Sequence, residues 1–303
     1  KHRMKDQYFG DINDYRNFGL LRAILRASQL RLLIAWMLTP NDGSTDGKHI
    51  AYLNKPDHWS HHDPVLFHTI QNLLASGPQR QASSIESTDL FPNTGYFSTQ
   101  VPDNPAARSA WFASLCQQAE GYDLVFLDPD NGLEVKSKPY GVRNSSKYLY
   151  WHEVTALWES GKSLLIFQHY NREKRPPFTQ RMLTALSKAT PGSLVEAFST
   201  KFVVFLLALQ PEHHSLHVPI VNTVQENWAG QIYHWELAQA HYGVSSGSLN
   251  ELAEVNRSNE HSSMMVCIPA PIGLVNTTPY IEWSFSYTGL AERLTSGSIL
   301  LGV

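Results

Sequence analysis

Tyr122-Asp123-Leu124-Val125-Phe126-Leu127-Asp128-Pro129-Asp130-Asn131-Gly132-Leu133-Glu134 is the stretch that decides how this chain is read. The apolar run from Leu124 stops at Asp128, and a proline, a second acid, an amide, a glycine and Glu134 follow. A short continuous apolar run bounded by turn formers predicts a strand buried on both faces, as in parallel sheets. In open α/β sheets, ligands bind in the crevice beyond the carboxyl ends of the strands. Asp128, Pro129, Asp130, Asn131 and Glu134 are therefore the first candidates for chemistry. A plain Asx-Pro turn with Asn-Gly is the competing explanation. Three acids within seven residues after a buried strand exceed what a turn alone requires.

Working outward, the pattern alternates helix and strand. Tyr15, Phe18, Leu21 and Leu25 recur at helical spacing within residues 15–28. Residues 31–38 read as a first buried strand, followed by a loop of turn formers through Gly47. Asp63-Pro64 and Asn104-Pro105 each combine an N-cap with a first-turn proline, predicting helices to about Ala75 and Ala119. Residues 81–87 read as a short second strand, 151–159 and 177–188 as helices, and 162–168 as another buried strand. Residues 194–198 and 202–209 are strand-like and separated only by Ser199-Thr200-Lys201, which permits a hairpin but no parallel crossover. The expected fold is an α/β, Rossmann-like three-layer sandwich, with a mostly parallel sheet and a terminal antiparallel hairpin. The expected division is one domain over 8–229 and a C-terminal extension over 230–303, in which 231–255 has room for a helix.

Three further constellations compete for function. Gln168-His169-Tyr170-Asn171-Arg172 follows a buried strand, so His169 belongs on the same sheet edge as Asp128. It is a candidate general acid/base, with Arg172 a candidate phosphate fork; a strand-end histidine bonded to a loop carbonyl is the equal alternative. Gly10-Asp11-Ile12-Asn13-Asp14 precedes the first helix, where capping by Asp11 or Asn13 explains much of the pattern. The loop from Asp42 through Asp46 ends the first strand, the usual cofactor position, but lacks the G-x-G-x-x-G spacing. Fourteen histidines invite a metal argument. His58, His61 and His62, and likewise His213, His214 and His217, have no ligand-spaced partner and read as surface residues. Tyr148-Leu149-Tyr150-Trp151 reads as packing rather than base stacking.

The chain of 303 residues is 42% hydrophobic and 17% charged, enough for a sizeable core. A net charge of −3 excludes a global basic field. Arg172, Lys174 and Arg175 remain a candidate local basic patch. The two cysteines, Cys116 and Cys267, form no disulfide or zinc pattern, and Cys116 reads as a core thiol. This cysteine usage and a polar start without a signal-peptide core predict a cytoplasmic protein, with Met4 as its natural first residue. The longest apolar run, Phe202 to Leu209, has eight residues against the ~20 of a bilayer span, so no membrane partner is expected.

The order of buried strand, Asp128-Pro129 strand end, second strand and closing hairpin resembles the class I S-adenosylmethionine-dependent methyltransferases. Gly10-Asp11-Ile12-Asn13-Asp14 before a Leu-rich helix is similar to the opening of the J-type ribosomal-RNA adenine-N6 methyltransferases, whose Asp-Pro-Pro-Tyr would fall at 128–131. The segment is closer still to bacterial proteins sharing an Asp-Pro-Asp-Asn-Gly core. The resemblance covers roughly residues 8–210. It implies S-adenosylmethionine as cofactor, with Gly10, Asp11, Asp14, Asp46 and Glu86 as its candidate contacts. It implies Asp128, Pro129, Asp130, Asn131 and His169 around the acceptor, with nucleic acid as a candidate partner. Asp130 replaces the motif's second proline and Asn131 its aromatic, a stacking contact worth ~1–3 kcal/mol. Two other readings stay open. One is a Mg²⁺-dependent phosphoesterase or nuclease, with Asp128, Asp130 and Glu134 as ligands. The other is a binding module without catalysis.

Overall fold

The first strand, β1 (Leu32–Ala35), is buried along its whole length. In the computed structural model, which describes residues 9–39, 49–76 and 82–238, β1 pairs in parallel with β2 (Thr94–Phe97) and with β3 (Leu124–Leu127). β4 (Ser163–His169) continues the parallel set beside β3. The hairpin of β5 (Leu194–Ser199) and β6 (Val203–Leu209) then closes the sheet with its second strand innermost. β6 lies antiparallel between β4 and β5, and β7 (Tyr233–Glu236) pairs antiparallel with β5, giving the order β2-β1-β3-β4-β6-β5-β7. β5 thus runs with β1 to β4, and β6 and β7 oppose them. This is the expected Rossmann-like sandwich.

Period-two alternation sorts the strand residues between two cores. Leu32, Ile34, Leu124 and Phe126 face a layer of α1 (Ile12–Ser28), α3 (Pro64–Ser76) and α7 (His217–Trp228). Leu33, Ala35, Val125 and Leu127 face α4 (Pro105–Ala119), α5 (Trp151–Glu159) and α6 (Arg175–Ala189). The short α2 (Pro56–Trp59) leads into α3. As expected, Asn104 caps α4, its side chain accepting from Ala107 N at 3.1 Å. Among the described residues, no helix is long and apolar enough to cross a membrane.

Several expectations need correction. Residues Ala82–Ser87 form a 3-10 helix, not the second strand. One buried apolar residue, Ile85, anchors that turn, and the strand comes later as β2. Residues 233–236 form a strand where a helix had room, and they carry the sheet past residue 229. His62 is buried: it stacks on Trp228 at 5.1 Å, and its Nδ1 lies 2.8 Å from Asn227 O. His217 Nδ1 and His234 Nε2 both meet Oε2 of the fully buried Glu196, at 2.8 and 2.7 Å. Cys116 is only partly buried, and that burial pushes its thiol pKa up. As expected, Leu149 and Tyr150 pack inside.

Candidate functional site

The parallel strands deliver their carboxyl ends to one cavity of about 380 Å³. Its walls come from the start of α1 (Asp11, Asn13, Asp14, Asn17), the chain after β1 (Trp36 to Thr39), the loop after β3 (Asp128 to Asn131), the end of β4 and the hairpin tip. This volume lies within the ~300–1,000 Å³ of small-molecule sites. Four aspartates line the cavity, and no lysine or arginine does so among the described residues. A cavity of similar size, about 410 Å³, opens at the other end of the strands beside Arg22 and Arg26. Both of those arginines are paired with the buried Asp63, which leaves that cavity little unsatisfied charge.

Asp128 stands where β3 ends, its N–H still bonded to Ala35 O at 3.1 Å. Burial pushes its carboxyl up to about 7, and the neighbouring Asp130 adds to the rise. Asp130 faces the same cavity. Its Oδ2 pairs with Lys147 Nζ at 3.0 Å and accepts from Thr39 Oγ1 at 3.3 Å. Asn131 lines the cavity mouth and is exposed. Gly132 then turns the chain at φ +91°, and a Cβ there would sit 2.5 Å from Gln168 Oε1. The Gln168 carboxamide bolts the loop to β4, accepting from Leu133 N at 2.7 Å and donating to His169 O at 2.7 Å. Glu134 leaves the cavity: its N–H bonds Leu149 O, and its surroundings are His152 and Glu153. The set of Asp128, Asp130 and Glu134 therefore does not converge. Among the described residues, no three His, Cys, Asp or Glu side chains gather in a metal-binding arrangement.

His169 reaches the cavity, exposed and edge-on to Phe167 at 4.8 Å. Register pairs it with Val203, so the exposed Phe202 also stands on the rim. Arg172 and Lys174 are exposed on the loop that follows, and the exposed Arg175 opens α6.

The proposed cofactor contacts divide. Asp11 and Asp14 line the cavity, but Asp11 also caps α1, accepting from Asn13 N and from His49 N, each at 3.0 Å. Gly10 lies behind them at φ +77°, where a Cβ would meet Leu74 Cδ1 at 2.7 Å, so its role is to let the chain turn. Glu86 is one step removed: its Oε1 accepts from Trp36 Nε1 and Ser98 Oγ, each at 3.0 Å, and it orients a wall rather than forming one. Asp46 lies outside the described residues, as does the rest of 40–48.

Sequence reasoning missed Trp36, Met37, Lys147 and Phe202. Met37 has φ +45°, a backbone position that suits glycine better, and such strain concentrates at functional sites. Lys147 carried no signal beyond being one lysine in a polar stretch. No protein-family model matches the chain, and no curated protein matches it.

Proposed function

We propose that this chain is an S-adenosylmethionine-dependent methyltransferase acting on an amine. The observation that carries the reading is the charge of the cavity: four aspartates line it and no described lysine or arginine does, Lys147 behind the lining offsetting Asp130 alone. Such a lining attracts a cationic ligand and repels phosphate. That favours a sulfonium compound over the phosphoesterase reading, which also loses Glu134 from its ligand set. The reversed hairpin and the strand-end Asp128-Pro129 agree with the resemblance.

Bound in the cavity, the cofactor would supply an electrophilic methyl group. Asp128 Oδ would accept an N–H of the acceptor amine, hold its lone pair in line, and take the proton that the amine sheds. A carboxyl titrating near 7 suits that task at neutral pH. Pro129 fixes the turn, and His169 stands near enough on the rim to orient the acceptor. Proximity rather than acid–base strength carries most of such a step.

The rim favours nucleic acid as acceptor. Phe202 offers an exposed ring, and Lys201, Arg172, Lys174 and Arg175 lie within a few residues of the His169–Val203 register pair. Titration calorimetry tests both parts. S-adenosylmethionine should release heat on binding, and single-stranded oligonucleotide should bind with affinity that falls as salt rises. Folded protein that gives no heat with millimolar S-adenosylmethionine would end the methyltransferase reading.

A further inference from the structure

Of the two carboxylates after β3, Asp130 has a fixed cationic partner. Lys147 Nζ lies 3.0 Å from Asp130 Oδ2, and each side chain is about four-fifths buried, at 21% and 23% exposure. Backbone pairing builds this contact. Asn131 N donates to Lys147 O at 2.8 Å, Leu149 N to Gly132 O at 3.0 Å and Glu134 N to Leu149 O at 2.8 Å, zipping the loop of Asp130 to that of Lys147. Asp103 fixes the lysine's turn from behind, accepting from Asn144 N at 2.8 Å and Ser146 N at 2.7 Å. The lysine is therefore not a solvated surface side chain that meets an acid by chance.

We propose that Lys147 is a tethered cation, whose ammonium holds the Asp130 carboxylate that a divalent metal ion would otherwise take in this crevice. Oxygen-only pairs of aspartates after a buried strand are ordinary ligands for hard cations. Here the charge is covalently attached, and it leaves Asp128 open towards the cavity. The site is thereby made independent of metal, and its acids are reserved for an organic ligand.

The test uses the full chain and Mn²⁺ alone, with free Mn²⁺ followed by electron paramagnetic resonance. Wild type should take up no stoichiometric Mn²⁺ at sub-millimolar concentration. Lys147→Met should gain one site, binding at least tenfold tighter than wild type, and adding Asp130→Asn should abolish it. Lys147→Arg should behave as wild type. Stoichiometric uptake by wild type that Asp130→Asn removes would overturn the proposal, because the lysine would then be displaced by metal. So would a Lys147→Met protein with native circular dichroism that gains no site. Neither outcome depends on S-adenosylmethionine binding, so failure here and failure of the methyltransferase reading are told apart.

Discussion

Asp128 concentrates the tension at the smallest scale. Well below its ordinary value of 3.8 the carboxyl is neutral whether the chain is folded or not. As pH rises to about 7 the unfolded chain ionises freely while the buried group resists, so folded-state stability is lost across that window and the loss is constant above it. A full shift of this size would exceed 4 kcal/mol, and partial solvent access reduces it to on the order of 2 kcal/mol. Asp128→Asn is accordingly expected to be more stable than wild type by on the order of 2 kcal/mol at pH 8. Most of the advantage should be gone at pH 4. Urea midpoints across that range check it, and a variant no more stable at pH 8 than at pH 4 contradicts it. A residue whose removal stabilises the fold is kept for what it does, a trade common at active sites.

At the scale of elements, α4 and α5 are joined by a buried ion pair. Arg108 Nε and Nη2 meet the Glu153 carboxylate at 2.8 and 2.9 Å, and Nη2 also donates to Tyr148 O at 3.0 Å. Glu153 in turn accepts from Tyr150 N at 3.1 Å, fixing the chain just after Lys147. Arg108→Met leaves that carboxylate buried and unpaired, and is expected to cost ~3–5 kcal/mol. The readout is a lowered denaturant midpoint at an unchanged slope. Which elements were legible follows from the same local physics. β3, β4 and β6 announced themselves because continuous apolar runs need two covered faces. α3 and α4 did so because Asp63-Pro64 and Asn104-Pro105 leave few other conformations. β2 did not, since Thr94-Gly95-Tyr96-Phe97 is half-exposed and carries a glycine. α7 presents Ile220, Val224 and Trp228 on one face, a stripe hidden by its polar neighbours. At the site, Asp128 and His169 were readable as strand ends. Lys147 and Phe202 were not, because backbone pairing and register across the sheet put them there.

At the scale of the whole molecule, the sheet depends on β6, every residue of which is buried. β6 bonds β4 on one side and β5 on the other, so removing it bares two strands at once. A chain ending at Thr200 is expected to aggregate, whereas one ending at Ala238, the limit of the compact unit, should run as a discrete species in gel filtration. A soluble, monodisperse shorter chain would contradict this. The same inserted strand governs how the protein is made. On the ribosome, β1 to β4 emerge first, and β4 must wait for a partner that begins at Val203, on the order of a few seconds at about 5–20 residues per second. During that wait the nascent chain shows an unpaired apolar strand edge. Slowing synthesis between His169 and Val203 is thus expected to lengthen that exposure and lower the yield of folded protein.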